Sequence, residues 1–146
     1  MRRRFSIISI NISARTGEKK YPVDRAVLRR DHGLEGDAHA GDWHRQVSLL
    51  ADEDIESMRG RGVDLPYGAF AENLTIRGID LVSIPVGTRL RVGPALLEVT
   101  QIGKECHQVC AIRQAVGDCV MPRRGVFARV LEGGEIDCAS LCYYDL

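Results

Sequence analysis

The residues that favour strands occur in this chain as short runs cut by glycine, proline and acidic turns, and this punctuation constrains the fold more than any other feature. Thr88-Arg89-Leu90-Arg91-Val92 is joined to Leu96-Leu97-Glu98-Val99-Thr100 through the turn dipeptide Gly93-Pro94, which predicts a hairpin. A second hairpin is predicted from Val126-Phe127-Ala128-Arg129-Val130-Leu131, then Glu132-Gly133-Gly134-Glu135, then Ile136, since paired glycines permit the positive φ values of tight primed turns. Phe70 to Ile76 and Arg25 to Leu28 are further strand candidates. Near the start, Ile8, Ile10 and Ile12 alternate with Ser9, Asn11 and Ser13, the period of a half-buried strand. Helical signals are few. Leu50, Ile55 and Met58 form one stripe, with Asp52-Glu53-Asp54 acidic where the helix dipole favours it and Gly60 and Gly62 to end it. Cys110 to Val116 predicts a second short helix, stopped by Gly117. Many short strands with a few short helices predict a mainly β chain, folded as a small, irregular β-barrel or closed sheet. No repeat, low-complexity tract or long linker interrupts it, so one domain is expected over 1–146.

Composition narrows the function classes. A chain of 146 residues buries enough surface to build a core without a disulfide lattice or a structural metal. Twenty Lys plus Arg balance twenty Asp plus Glu, so the overall field that attracts nucleic acid is missing and no nucleic-acid partner is expected. No apolar run reaches the eighteen or so residues of a membrane helix, and no membrane partner is expected. Met1-Arg2-Arg3-Arg4 before an apolar run superficially imitates a signal peptide, but the Ile/Ser alternation that follows is that of a strand. Five cysteines, an odd number at low density, fit a reducing cytoplasm and thiols kept for chemistry.

Three segments concentrate reactive groups. Cys106, Cys110 and Cys119 cluster beside His107, among polar and cationic residues that favour the thiolate, whereas Cys138 and Cys142 lie in a strand-like tail and read as inert thiols. The cluster is open to three chemistries: a zinc site using the three cysteines with His107 or His39, a protease-like nucleophile, or a thiolate that carries sulfur or ligates a soft metal such as molybdenum. Residues 31–45 form a second concentration, a glycine-rich loop with Asp37, Asp42, three histidines and the sole tryptophan. A hard-metal site there lacks any supporting spacing. The third is the arginine-rich segment 121–129, where Arg129, joined by Arg45, Arg113, Arg123 and Arg124, makes an anionic, phosphate-bearing ligand plausible.

Taken in order, Gly33-Leu34-Glu35-Gly36-Asp37-Ala38-His39, Gly68-Ala69-Phe70-Ala71-Glu72-Asn73-Leu74-Thr75, Val86-Gly87-Thr88, the segment from Cys106 to Cys110 and Gly125-Val126-Phe127-Ala128-Arg129-Val130-Leu131 resemble the MOSC domain, named for the C-terminal domain of molybdenum cofactor sulfurases. The likeness covers nearly the whole chain. It implies a β-barrel-rich fold that binds the molybdenum cofactor, a pterin carrying a dithiolene and a phosphate, or handles sulfur destined for it. It also implies that Cys110 stands at the family's central cysteine, as molybdenum ligand or persulfide carrier, with Cys106 able to resolve a persulfide or substitute, and Cys119 a third possibility. Asn73, Asp37, His39 and Arg129 are the cofactor-binding residues that the resemblance implies, and Arg45 and Arg123 join them from the arginine reading above. The chain is too short to include the aminotransferase-like domain of full sulfurases, so pyridoxal phosphate is not expected in it.

The resulting expectation is a cytoplasmic protein that binds molybdopterin or its precursor and acts through Cys110, as a sulfur carrier or a molybdenum-dependent reductase. Its partners would be a molybdoenzyme, a cysteine desulfurase or a redox protein. The alternatives are a non-catalytic module that carries or delivers the cofactor, and a zinc-stabilised β domain.

Overall fold

The computed structural model describes residues 1–16, 18–59, 65–103 and 124–145. Eleven strands and one α-helix are found among them: β1 (Arg2–Ile12), β2 (Tyr21–Val23), β3 (Arg25–Arg29), β4 (Gly33–Leu34), β5 (Val47–Ala51), α1 (Asp52–Arg59), β6 (Leu74–Arg77), β7 (Arg89–Val92), β8 (Ala95–Ile102), β9 (Val126–Glu132), β10 (Gly134–Asp137) and β11 (Cys142–Asp145). A 3-10 turn, Leu81–Ser83, follows β6.

The mainly β expectation holds, and the sheet closes. Strands run in the order β1-β6-β5-β9-β8-β7-β11, and β11 returns to β1, giving a seven-stranded barrel with β2 added beside β1. All neighbours in the barrel are antiparallel except β5 and β6, which run parallel with Leu49 opposite Leu74. That exception needs a crossover, and α1 lies within it. The inward face of each strand fills the barrel: Ile7, Ile10, Leu49, Leu74, Ile76, Leu90, Leu97, Val99, Val126, Ala128 and Val130 are all buried in one cluster. Leu50, Ile55, Met58, Phe70 and Phe127 form a second cluster on the outer face, and α1 packs against β5 and β6.

Several local expectations are corrected. The hairpin through Gly93 forms as β7 and β8. The predicted second hairpin does not, because β10 pairs with β3 in a separate three-stranded sheet with β4. Gly133 and Gly134 serve close approach instead of a primed turn: a Cβ would lie 2.5 Å from the Leu28 carbonyl oxygen at Gly133, and 2.6 Å from Pro94 Cγ at Gly134. Leu50 belongs to β5 and not to the helix. The strand expected over 70–76 starts only at Leu74, since Ala71 takes φ +63° and turns the chain. The predicted helix from Cys110 to Val116 lies outside the described residues.

Candidate functional site

The polar groups that the barrel buries are concentrated where the end of β1, the loop 35–46 and the turn before β6 meet. Glu72 anchors the turn. Its carboxylate, fully buried, accepts from the Gly68 N–H (3.1 Å), the Phe70 N–H (3.2 Å) and the Thr75 hydroxyl (3.0 Å). Burial pushes its pKa up, and these donors only partly oppose the shift. The turn delivers Asn73 to a fully buried position. There its Oδ1 accepts from the Ser48 N–H at 2.9 Å and its Nδ2 donates to the Asn11 carbonyl at 3.1 Å.

Asp37 lies next to Asn73. Its Oδ1 accepts from the Ser13 N–H (3.1 Å) and from Lys20 Nζ (2.7 Å), and its Oδ2 accepts from the His39 N–H (3.2 Å). Burial alone would raise the Asp37 pKa, but the hydrogen bond and charge of Lys20, helped by Asn73 and the Ser13 N–H, outweigh it and hold the carboxyl below its ordinary value. Lys20 is itself fully buried and also reaches Ser13 Oγ at 3.1 Å and His39 Nδ1 at 2.8 Å. Nothing in the sequence marks this lysine. It sits in a polar stretch before a short strand, where a solvated side chain is the ordinary expectation.

From His39 the constellation continues to the arginines through Trp43. The indole Nε1 donates to the His39 carbonyl at 2.8 Å. The Arg45 guanidinium lies over the Trp43 ring at 4.7 Å and over the Phe127 ring at 5.6 Å. Phe127 and Arg129 are two residues apart on β9 and therefore share its outer face. Arg129 Nη2 donates to Asp31 Oδ1 at 3.1 Å. The structure thus brings Asn73, Asp37, His39, Arg45 and Arg129 into one connected region.

Three buried donor nitrogens in this region, Arg45 Nε, Gln46 Nε2 and Arg129 Nε, have no acceptor among the described residues. Gln46 is fully buried and spends its Oε1 on the Val130 N–H at 2.9 Å. Buried donors left unmade cost free energy, so this clustering suits a ligand rich in acceptors.

Arg124, grouped with the anion-binding arginines from sequence, is engaged elsewhere: it pairs with Asp54 and Asp80, each at 3.0 Å, beside the start of α1. Cys106, Cys110, Cys119, His107, Arg113 and Arg123 lie outside the described residues. The strands flanking their segment end side by side, with the Gly103 N–H donating to the Gly125 carbonyl at 2.6 Å. Among the described residues no three His, Cys, Asp or Glu side chains converge as a metal site. Cys138 and Cys142 carry free thiols. Cys142 is buried and its pKa is pushed up to about 12, which makes it unreactive; Cys138 is exposed, and burial of its sulfur with nearby Asp137 and Asp24 pushes its pKa up as well. No described helix is long and apolar enough to cross a membrane.

Known proteins share this architecture. The YUAD protein of Bacillus subtilis superposes with a TM-score of 0.81 over 99% of this chain and 97% of its own, at 18% identity. YiiM of Geobacillus stearothermophilus gives 0.73 over 97% of this chain and 75% of its own, at 22% identity. Such identities show a common fold. In sequence, the chain is 27% identical to the uncharacterized protein YflK of Bacillus subtilis, across 91% of this chain and 70% of that protein. The family model for the MOSC domain matches residues 35–139, which contain the loop of Asp37 and His39, the turn of Glu72 and Asn73, and strand β9 with Arg129, and the chain therefore belongs to the MOSC domain family.

Proposed function

We propose that this protein binds the molybdenum cofactor, or its phosphate-bearing pterin precursor, on the outer face of β9 and in the adjoining loop 35–46. The observation that carries the reading is the set of three buried donors at Arg45, Gln46 and Arg129 that have no acceptor among the described residues, two of them on guanidinium groups. A phosphate supplies acceptor oxygens and negative charge together, and guanidinium is the side chain best matched to it. Trp43, already holding Arg45 at its face, adds an aromatic surface beside the site. Asn73 and Asp37 act at one remove, since their polar atoms hold β1, Lys20 and the His39 backbone in place. Arg123 joins the same cationic group in this reading.

The bound cofactor would supply molybdenum and its dithiolene sulfurs for oxygen or sulfur chemistry. Cys110 would provide the thiolate for that chemistry, as molybdenum ligand or as acceptor of the outer sulfur of a donor persulfide, with the donor released as a thiol. Cys106 is the second thiol that can resolve such a persulfide. The activity is that of a single cytoplasmic domain served by a cysteine desulfurase, a molybdoenzyme or a redox protein.

The test is purification from a molybdate-fed host, followed by metal analysis and fluorescence of the oxidised pterin. Pterin and molybdenum retained by wild type and lost in Arg45→Ala/Arg129→Ala support the reading. Stoichiometric zinc without pterin overturns it. Intact mass after exposure to a persulfide donor then separates the two roles of Cys110, since only sulfur relay predicts a gain of one sulfur atom that Cys110→Ser abolishes.

A further inference from the structure

Lys20 is the one fully buried cation at this site among the described residues, and its Nζ lies within hydrogen-bond distance of Ser13 Oγ at 3.1 Å, Asp37 Oδ1 at 2.7 Å and His39 Nδ1 at 2.8 Å. We propose that Lys20 is a positioning residue that locks His39 in its neutral, Nε2-protonated form, so that the histidine meets a ligand as a hydrogen-bond donor and its Nδ1 serves neither as a base nor as a metal ligand. The consequence for a ligand rests on the function proposed above; the tautomer is a property of the free protein.

An ammonium has donors and no lone pair, so a nitrogen 2.8 Å from it must offer one. An imidazolium at His39 would instead set Nδ1–H against N–H and place two cations in contact. The reverse arrangement, a neutral amine accepting from Nδ1–H, would strip the buried Asp37 carboxylate of its counter-ion. Asp37 therefore keeps the lysine charged, and the charged lysine sets the tautomer. With Nδ1 occupied, the ring's proton is on Nε2.

The main chain prevents the lysine from withdrawing. Its N–H donates to the Gly68 carbonyl at 2.7 Å. Gly68 packs so closely that a Cβ there would lie 2.2 Å from the Lys20 carbonyl oxygen. Asp37 also accepts from the His39 N–H at 3.2 Å, which fixes the backbone of the histidine whose ring Lys20 fixes. His39 is thus held at the main chain and at Nδ1 by the same ion pair. A ligand that meets Nε2–H must present an acceptor, such as a phosphate oxygen or a pterin carbonyl.

The experiment is long-range nitrogen–proton correlation on protein with 15N-labelled histidine at pH 7. The sequence has four histidines, and the His39 signals are assigned by their loss in His39→Gln. The expected result is an unprotonated Nδ1 and a protonated Nε2 in wild type. A protonated Nδ1 overturns the proposal without any variant. Lys20→Met should convert His39 to a mixture in which Nδ1 carries a proton, and an unchanged spectrum in the folded variant would remove the role given to Lys20. If that variant does not fold, Lys20→Met/Asp37→Asn leaves no unpaired buried charge and carries the same readout. A wild-type protein that shows this tautomer but retains no pterin keeps the assignment of Lys20 and loses the function proposed.

Discussion

Nζ of Lys20 lies 2.7 Å from Oδ1 of Asp37, and neither side chain has any exposed surface. Removing one member of such a pair strands the other, so Asp37→Asn should cost about 3–5 kcal/mol, read from the midpoint of urea unfolding. The pair also gives the fold an acid limit. Because the Asp37 pKa is depressed in the folded state, its contribution is complete above the ordinary carboxylate value of about 3.9 and is lost as pH falls through the lower folded value. Asp37→Asn should lack that acid-sensitive component of stability. An acid-unfolding curve parallel to wild type would show that Asp37 does not supply it.

The Arg45 guanidinium lies over the rings of both Trp43 and Phe127. Lysine keeps the charge but loses the plane that stacks and the Nε donor, so Arg45→Lys should resemble Arg45→Ala in ligand retention. A lost charge-assisted hydrogen bond corresponds to roughly a tenfold to hundredfold weaker complex. Titration of purified apoprotein with a phosphate-bearing pterin measures this. Near-wild-type affinity in Arg45→Lys would mean that charge alone is read at this position.

The sequence carries the barrel because its strands alternate. β7, β8 and β9 each place apolar residues at every second position, and the Gly93 turn sits where the hairpin forms. What it conceals is pairing across long separations. The Gly133-Gly134 step looks like a hairpin turn, yet β10 joins β3, which precedes it by about a hundred residues. The strand expected over 70–76 fails for a similar reason: a buried Glu72 gathers the N–H groups of Gly68 and Phe70 into a turn, and apolar neighbours do not reveal it. The concentration of polar groups over residues 31–45 was readable from its glycines, histidines and tryptophan. Lys20 was not, since only the fold that surrounds it distinguishes it from a solvated lysine.

Glu72 sets an opposite pH dependence to Asp37. Its pKa is raised by burial, so the folded state binds a proton more readily than the unfolded chain. Its contribution is fully present below the ordinary value of about 4.3 and is lost as pH rises through the higher folded value. Glutamine resembles the protonated acid and does not titrate. Urea midpoints of Glu72→Gln should therefore depend less on pH than those of wild type between that value and neutrality. An equally steep dependence in the variant would assign the effect to another group.

Two glycines with similar backbone angles separate crowding from conformational strain. Gly68 has φ +90° and Gly36 has φ +84°, a region that side chains rarely adopt, so alanine carries a conformational cost of about 1–2 kcal/mol at either. Around Gly36 nothing lies within 4 Å of the added Cβ, and Gly36→Ala should show that cost alone. At Gly68 the new atom meets the Lys20 carbonyl oxygen at 2.2 Å, where no flexible side chain can move aside. Overpacking then adds about 1–3 kcal/mol, and relief requires the Lys20 backbone to shift. The ammonium would move with it, away from Asp37 and His39. Gly68→Ala should consequently lose more stability than Gly36→Ala and also alter the His39 nitrogen signals, whereas Gly36→Ala should leave them unchanged. Thermal unfolding together with the histidine spectrum checks both, and equal losses in the two variants would show that the Gly68 turn does not hold Lys20 in place.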